Sequence, residues 1–267
     1  MNFIVPLDFS ENSINALEFG LTMASRKQGK ITLVHVVDMA YDFASQSAIA
    51  LDSVYQESNR QLQSYVDQYK SPDIEIDYVV IAGNMAISVA RIAEERNANL
   101  ILMGTQGASG ISKTLIGTNA VNMIREATCP VLIVPAQAQV AEIRKVTLAL
   151  EFANHEEPFI DWIVAMSNRW DLNLEILHIK IHRDFKDELA VLGLEEYLGN
   201  KYPDEMIKIH TFYAENASDG LVRYMEEHSN MILVMCRQHR NLWDQILQKS
   251  ESIRLAYHTH VPLLIMQ

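Results

Sequence analysis

"NLILMGTQGASGISKTLIGTN", Asn99 to Asn119, sets an uncharged apolar run, Leu100 to Met103, directly before four of the chain's ten glycines: Gly104, Gly107, Gly110 and Gly117. The run reads as a strand buried on both faces, and the residues after Gly117 read as a helix. A buried strand that leaves through a glycine loop into a helix is a building unit of a parallel α/β sheet. In such sheets the carboxyl ends of the strands face the ligand crevice.

The same alternation extends in both directions. "FIVPL" (Phe3 to Leu7) precedes "ENSINALEFGLTMASRK", whose Ile14, Leu17, Leu21 and Met23 recur near helical spacing. "ITLVHVV" and "IDYVVIA" are further strands, "NMAISVARIAEERN" a further helix, and "VLIVP" closes the set. Parallel pairing through right-handed crossovers then predicts a five-stranded sheet within about the first 137 residues.

The remainder repeats this pattern in "KVTLALEF", "LEILHIKI", "MIKIHTFYA", "NMILVMC" and "VPLLIMQ". A shift of 132 residues lays Ala82–Val134 on Ala214–Met266 without a gap, pairing Asn84 with Asn216, Arg91 with Arg223, Met103 with Met235 and Pro130 with Pro262. The earlier part matches at a shift of 143, with Asp8-Phe9 on Glu151-Phe152 and His35 on His178, so the first repeat carries eleven extra residues between its second and third strands. The expected fold is α/β: two tandem Rossmann-like domains, each an open five-stranded parallel sheet flanked by helices, at residues 1–137 and 144–267. "AQAQVAEIR", Ala136 to Arg144, joins them.

Composition narrows the function classes. At 49% apolar and 21% charged the chain is globular, and a net charge of -12 argues against nucleic acid or an anionic membrane surface as partner. A small anion is still compatible, because backbone amides bind phosphate whatever the overall charge. Two distant cysteines suggest no disulfide framework, and the start "MNFIVPLDFS" has no basic leader. No stretch approaches eighteen uncharged apolar residues, so a soluble cytoplasmic protein is expected.

The glycine loop has its own chemistry. Gly107 and Gly110 allow positive φ and a close backbone approach to a ligand. Gly117-Thr118 opens a helix whose first amides and dipole favour an anion, with the Thr hydroxyl able to cap or to contact it. The pattern is neither a Walker A loop nor a GxGxxG turn.

Its spacing, Gly104-x2-Gly107-x9-Gly117-Thr118, resembles the G-2x-G-9x-G-(S/T) signature of the universal stress protein family. "VPLDFSENS", "LVHVVD" and "ATCPVLIVP" resemble that family's first turn, second strand and closing strand, so the chain looks like a tandem member with adenine nucleotide α-hydrolase-like domains. The resemblance implies ATP or a related adenine nucleotide as ligand, with or without Mg2+. It also implies the residues that hold it: Pro6 and Asp8 in the first turn, Val36 in the second strand, then Met103, Gly104, Gln106, Gly107, Gly117, Thr118 and Asn119. Asp8 equally suits a cap or turn role within "DFSENS". Leu7 departs from the small polar residue often found before that Asp. An intramolecular pseudo-dimer of the two repeats is implied as well, and a homodimer of whole chains is compatible with it.

No carboxylate or histidine lies between Gly104 and Asn119 to orient water, which predicts a binding module with slow or no hydrolysis and no catalytic residues. The alternative is a nucleotide-independent scaffold working through protein contacts. An ATP pyrophosphatase or nucleotidyl transferase would need an SGGxDS-like or HIGH-like motif, and "PLDFSENS" is neither.

In the second repeat the loop glycines are replaced: Gly104 by Cys236, Gly107 by His239, Gly110 by Leu242 and Gly117 by Lys249, with Ser250 for Thr118. No ATP is expected there by the family mode. Cys236, His239, His258 and His260 include zinc-ligand types, but surface histidines explain them more simply and no metal is expected.

Overall fold

The computed structural model describes residues 1–25, 28–37, 48–105, 117–152, 156–182, 184–236 and 261–267. The chain divides into two compact units, Met1–Val140 with Gln267, and Ala141–Met266.

The first unit runs β1 (Asn2–Pro6), α1 (Glu11–Ser25), β2 (Lys30–Val37), α2 (Ala48–Gln68), β3 (Glu75–Ala82), α3 (Met85–Glu95), β4 (Leu100–Gly104), α4 (Thr118–Glu126) and β5 (Val131–Val134). The second runs β6 (Lys145–Ala149), α5 (Glu157–Trp170), β7 (Asn173–Lys180), α6 (Phe185–Lys201), β8 (Lys208–Tyr213), α7 (Ala217–Glu227), β9 (Met231–Cys236) and β10 (Leu263–Met266). The strand order is β3-β2-β1-β4-β5 in the first unit and β8-β7-β6-β9-β10 in the second, all parallel. α2 has 21 residues against 17 in its counterpart α6, so part of the first repeat's excess lies in that helix.

The central strands are apolar at consecutive positions because both faces are covered. Phe3, Ile4 and Val5 of β1 and Leu100, Ile101 and Leu102 of β4 are essentially inaccessible to solvent. α1 buries Ala16, Leu17 and Phe19 against this layer. The edge strand β3 is half-exposed along most of its length.

Asn84 and Asn216, paired by the repeat, cap the equivalent helices. Asn84 Oδ1 accepts from the Ile87 amide at 3.2 Å, and Asn216 Oδ1 from the Asp219 amide at 2.9 Å. Their correspondence thus has a local cause, since each cap satisfies a first-turn donor that the helix cannot. Among the described residues, no helix is long and apolar enough to cross a membrane.

Candidate functional site

In the first unit the strand order reverses between β1 and β4: β2 and β3 lie to one side of β1, β4 and β5 to the other. Crossovers leaving on opposite sides open a crevice beyond the carboxyl ends at this point. A cleft of about 480 Å³ occupies it, within the range of small-molecule sites.

Two kinds of wall meet there. On the β2–β3 side stand Val36 and Met85, backed by the fully buried Val34, with Gly83 and Asn84 after β3 and Pro6, Leu7 and Asp8 at and after the end of β1; this wall sets apolar side chains beside two polar ones. On the β4 side stand Gly104, Thr105 and the opening of α4, Gly117 to Ala120, and this wall presents backbone and small polar groups. The Gly117 amide donates to the Thr105 carbonyl at 2.7 Å, which seats the α4 amino terminus beside the end of β4. Gly117 accepts from the Ala120 and Val121 amides at 2.9 and 3.2 Å. Thr118 and Asn119 are first-turn residues whose amides have no carbonyl partner inside the helix, and both are exposed at the cleft. Such donors, with the positive end of the helix dipole, favour an anion.

Of the residues expected from the sequence, Pro6, Asp8, Val36, Met103, Gly104, Gly117, Thr118 and Asn119 all line this cleft. Gln106 and Gly107 lie outside the described residues, as do Gly110 and Lys113. The structure narrows three local roles that the sequence leaves open. Thr118 does not cap α4: Gly117 is the N-cap, no side chain caps there, and Thr118 is the first helical residue. Asp8 takes the turn role of the two that "DFSENS" allows. Its Oδ1 accepts from the Ser10 amide at 3.1 Å and the Ser10 hydroxyl at 2.6 Å, and Ser10 Oγ in turn accepts from the Ser13 amide at 3.3 Å. Gly104 has a packing reason to be glycine, because an added Cβ would lie 2.8 Å from the Asn12 carbonyl oxygen of α1.

The sequence reading missed Leu7, Ser13, Val34, Gly83, Asn84, Met85, Thr105 and Ala120 as lining residues. Gly83 has a φ of 143° and breaks from β3 just before the Asn84 cap. A Gly-Asn pair between a strand and a helix marks such a turn in sequence, but nothing local shows that the turn reaches the cleft.

In the second unit Ile179 takes the place of Val36, at the same shift that pairs His35 with His178. A Cβ added to Gly220 of α7 would lie 2.5 Å from Ile179 Cγ2 and 2.9 Å from Ala214 Cβ, so β7 and α7 are packed closely there. Glu151, the counterpart of Asp8, has its amide bonded to Glu156 Oε1 at 3.1 Å. Cys236 is buried at the end of β9, whereas His239, His258, His260, Leu242, Lys249 and Ser250 lie outside the described residues. Among the described residues, no three His, Cys, Asp or Glu side chains gather as a metal site.

The universal stress protein family model matches residues 1–135. A universal stress protein of Methanocaldococcus jannaschii is 26% identical over 136 residues, covering 49% of this chain and 79% of that protein. One from Bacillus subtilis is 23% identical over 142 residues, covering 49% of this chain and 96% of its own length. The crystal structure of a universal stress protein from Archaeoglobus fulgidus is similar over 100% of this chain and 98% of that one, with a TM-score of 0.79 and 19% identity. At that identity the likeness shows a shared fold.

Proposed function

The chain belongs to the universal stress protein family, and on that premise we propose that its first unit binds ATP or a related adenine nucleotide, as a cytoplasmic regulatory module of the stress response. The observation that carries this reading is the cleft's two-sided lining. Val36 and Met85 offer an apolar surface suited to a purine, and the Thr118 and Asn119 amides offer an anion site suited to phosphates. Gly104 and Gly83 add no side chain to the space between them. Mg2+ would be held chiefly by the phosphates of the nucleotide, as is usual for this ion.

Hydrolysis is slow or absent in this reading. Asp8 is the one carboxylate in the described lining, and it holds Ser10. Turnover is therefore expected below about 1 s⁻¹, the low end for ordinary enzymes.

The test is MgATP affinity of the wild type and of Gly117→Lys, which installs the second repeat's residue. Gly117 sits at φ -62 and ψ 154, a backbone region that any residue adopts, so lysine tests the cleft and leaves the backbone unstrained. Loss of binding in the variant supports the reading; equal affinity overturns it.

One observation favours the scaffold alternative: the contact with Asn12 explains Gly104 with no ligand at all. Nucleotide released by denaturing freshly purified protein, identified by mass spectrometry, separates the two.

A further inference from the structure

Two thioethers line the cleft, and they differ in access. Met103 of β4 is 5% exposed, whereas Met85, the first residue of α3, is half-buried with part of its surface open. Position 85 has no methionine in the second repeat, where Ala217 stands, while Met103 is matched by Met235. Met85 also shares the apolar part of its wall with Val36. A sulfur placed there keeps that part apolar only while it is reduced.

We propose that Met85 is an oxidation site that controls ligand binding in this cleft. Peroxide converts its thioether to the sulfoxide, and the oxidised cleft no longer takes an adenine nucleotide. In this step the sulfur lone pair attacks a peroxide oxygen, the O–O bond breaks and an S–O bond forms. The sulfur is oxidised by two electrons, and hydrogen peroxide leaves as water. The new oxygen is a strong hydrogen-bond acceptor. Covering it with a purine face leaves it without a donor, which opposes binding. A methionine sulfoxide reductase with a thiol reverses the change.

The inference rests on the nucleotide reading of the cleft, so the test begins with untreated protein. MgATP affinity is measured for the wild type, Met85→Leu and Met206→Leu, each before and after a short hydrogen peroxide treatment, with sulfoxide at each methionine followed by peptide mass spectrometry. Met206 is 84% exposed and lies in the second unit, so it oxidises readily without altering the cleft. The expected result is a loss of at least about tenfold in affinity for treated wild type and treated Met206→Leu, restored by the reductase. Met85→Leu, compared with its own untreated sample, keeps its affinity. In the wild type, saturating MgATP slows sulfoxide formation at Met85 and leaves Met206 unaffected, a readout that stands even if Met85→Leu binds poorly.

No binding by the untreated wild type overturns the nucleotide reading and this inference together. Normal binding that survives full oxidation of Met85, an equal loss in Met85→Leu, or no protection of Met85 by MgATP overturns this inference alone.

Discussion

The Phe9 ring stacks on the His35 imidazole with centroids 4.5 Å apart, and Phe9 holds this position from a left-handed backbone with φ of 64°. The pair recurs in the second unit, where Phe152 at φ 56° lies 4.3 Å from His178. In both, the histidine Nδ1 bonds the carbonyl two residues before the phenylalanine, Leu7 at 2.7 Å and Leu150 at 3.1 Å. Bulky residues avoid positive φ, so the ring contacts offset local strain in the turn beside Asp8.

Two substitutions separate strain from stacking. Phe9→Ala loses the ring and keeps the strain, whereas Phe9→Gly loses both. Both are expected to destabilise, with glycine better than alanine by about 1 kcal/mol, the reverse of their order at ordinary φ. Urea denaturation of the two variants measures the order.

Gly104→Ala places a Cβ 2.8 Å from the Asn12 carbonyl oxygen and 3.0 Å from its carbon, and neither backbone atom can yield without moving α1. A loss of about 1–3 kcal/mol is expected, as for overpacked cores. A native-like denaturation midpoint in the variant would contradict the close approach.

Lys145 and Glu175 meet at 2.6 Å with side chains only 13% and 14% exposed. Burial by itself raises the Glu175 carboxyl, but the hydrogen bond and charge of Lys145, with His210 beside them, bring it below the usual glutamate range. Burial first, and then the Glu175 carboxylate, push the Tyr224 phenol up to about 12. Glu175→Ala strands the lysine and is expected to cost about 3 kcal/mol. The double variant Lys145→Met with Glu175→Leu is expected to recover most of that, as thermal unfolding will show.

Asp77 of β3 pairs with Arg96 at 2.5 Å and Lys30 at 3.3 Å. Burial raises its carboxyl, but hydrogen bonds from Thr32 and Arg96, together with the nearby charges, outweigh it and leave the group below its ordinary value. A lowered folded pKa stabilises the protein above the unfolded value of about 3.9 and loses that contribution as pH falls through the folded one. The stability gap between wild type and Asp77→Asn should therefore be widest above about pH 4 and close in acid. A gap constant with pH would reject the pairing.

Much of the architecture is legible in the chain. β4 is uncharged and apolar from Leu100 to Met103, and the helices carry apolar residues at 3.6-residue spacing, so element types follow from burial periodicity. That the cleft lies beyond the carboxyl ends of the strands follows from their parallel alternation with helices, whereas its place between β1 and β4 depends on the strand order. Met85 and Val34 were not legible as cleft residues. They reach the same wall through separate crossovers, and no short-range pattern records which strand ends become neighbours. The choice of Ser10 is hidden for the same reason at smaller scale, because four side chains of "DFSENS", Asp8, Ser10, Asn12 and Ser13, suit a cap and only the turn geometry selects one.

By itself the sequence determined the two-fold repeat, the alternation of strands and helices, the glycine spacing and its loss from the second copy, all of which are patterns along the chain. Tertiary structure alone decided that Met85 joins Val36 and Met103 at one cleft and that Gly104 answers to the Asn12 carbonyl. It also decided that Ile179 packs against Gly220 in the second unit. Each of these is a contact between residues dozens of positions apart, set by how helices cross the sheet and how closely their backbones approach it.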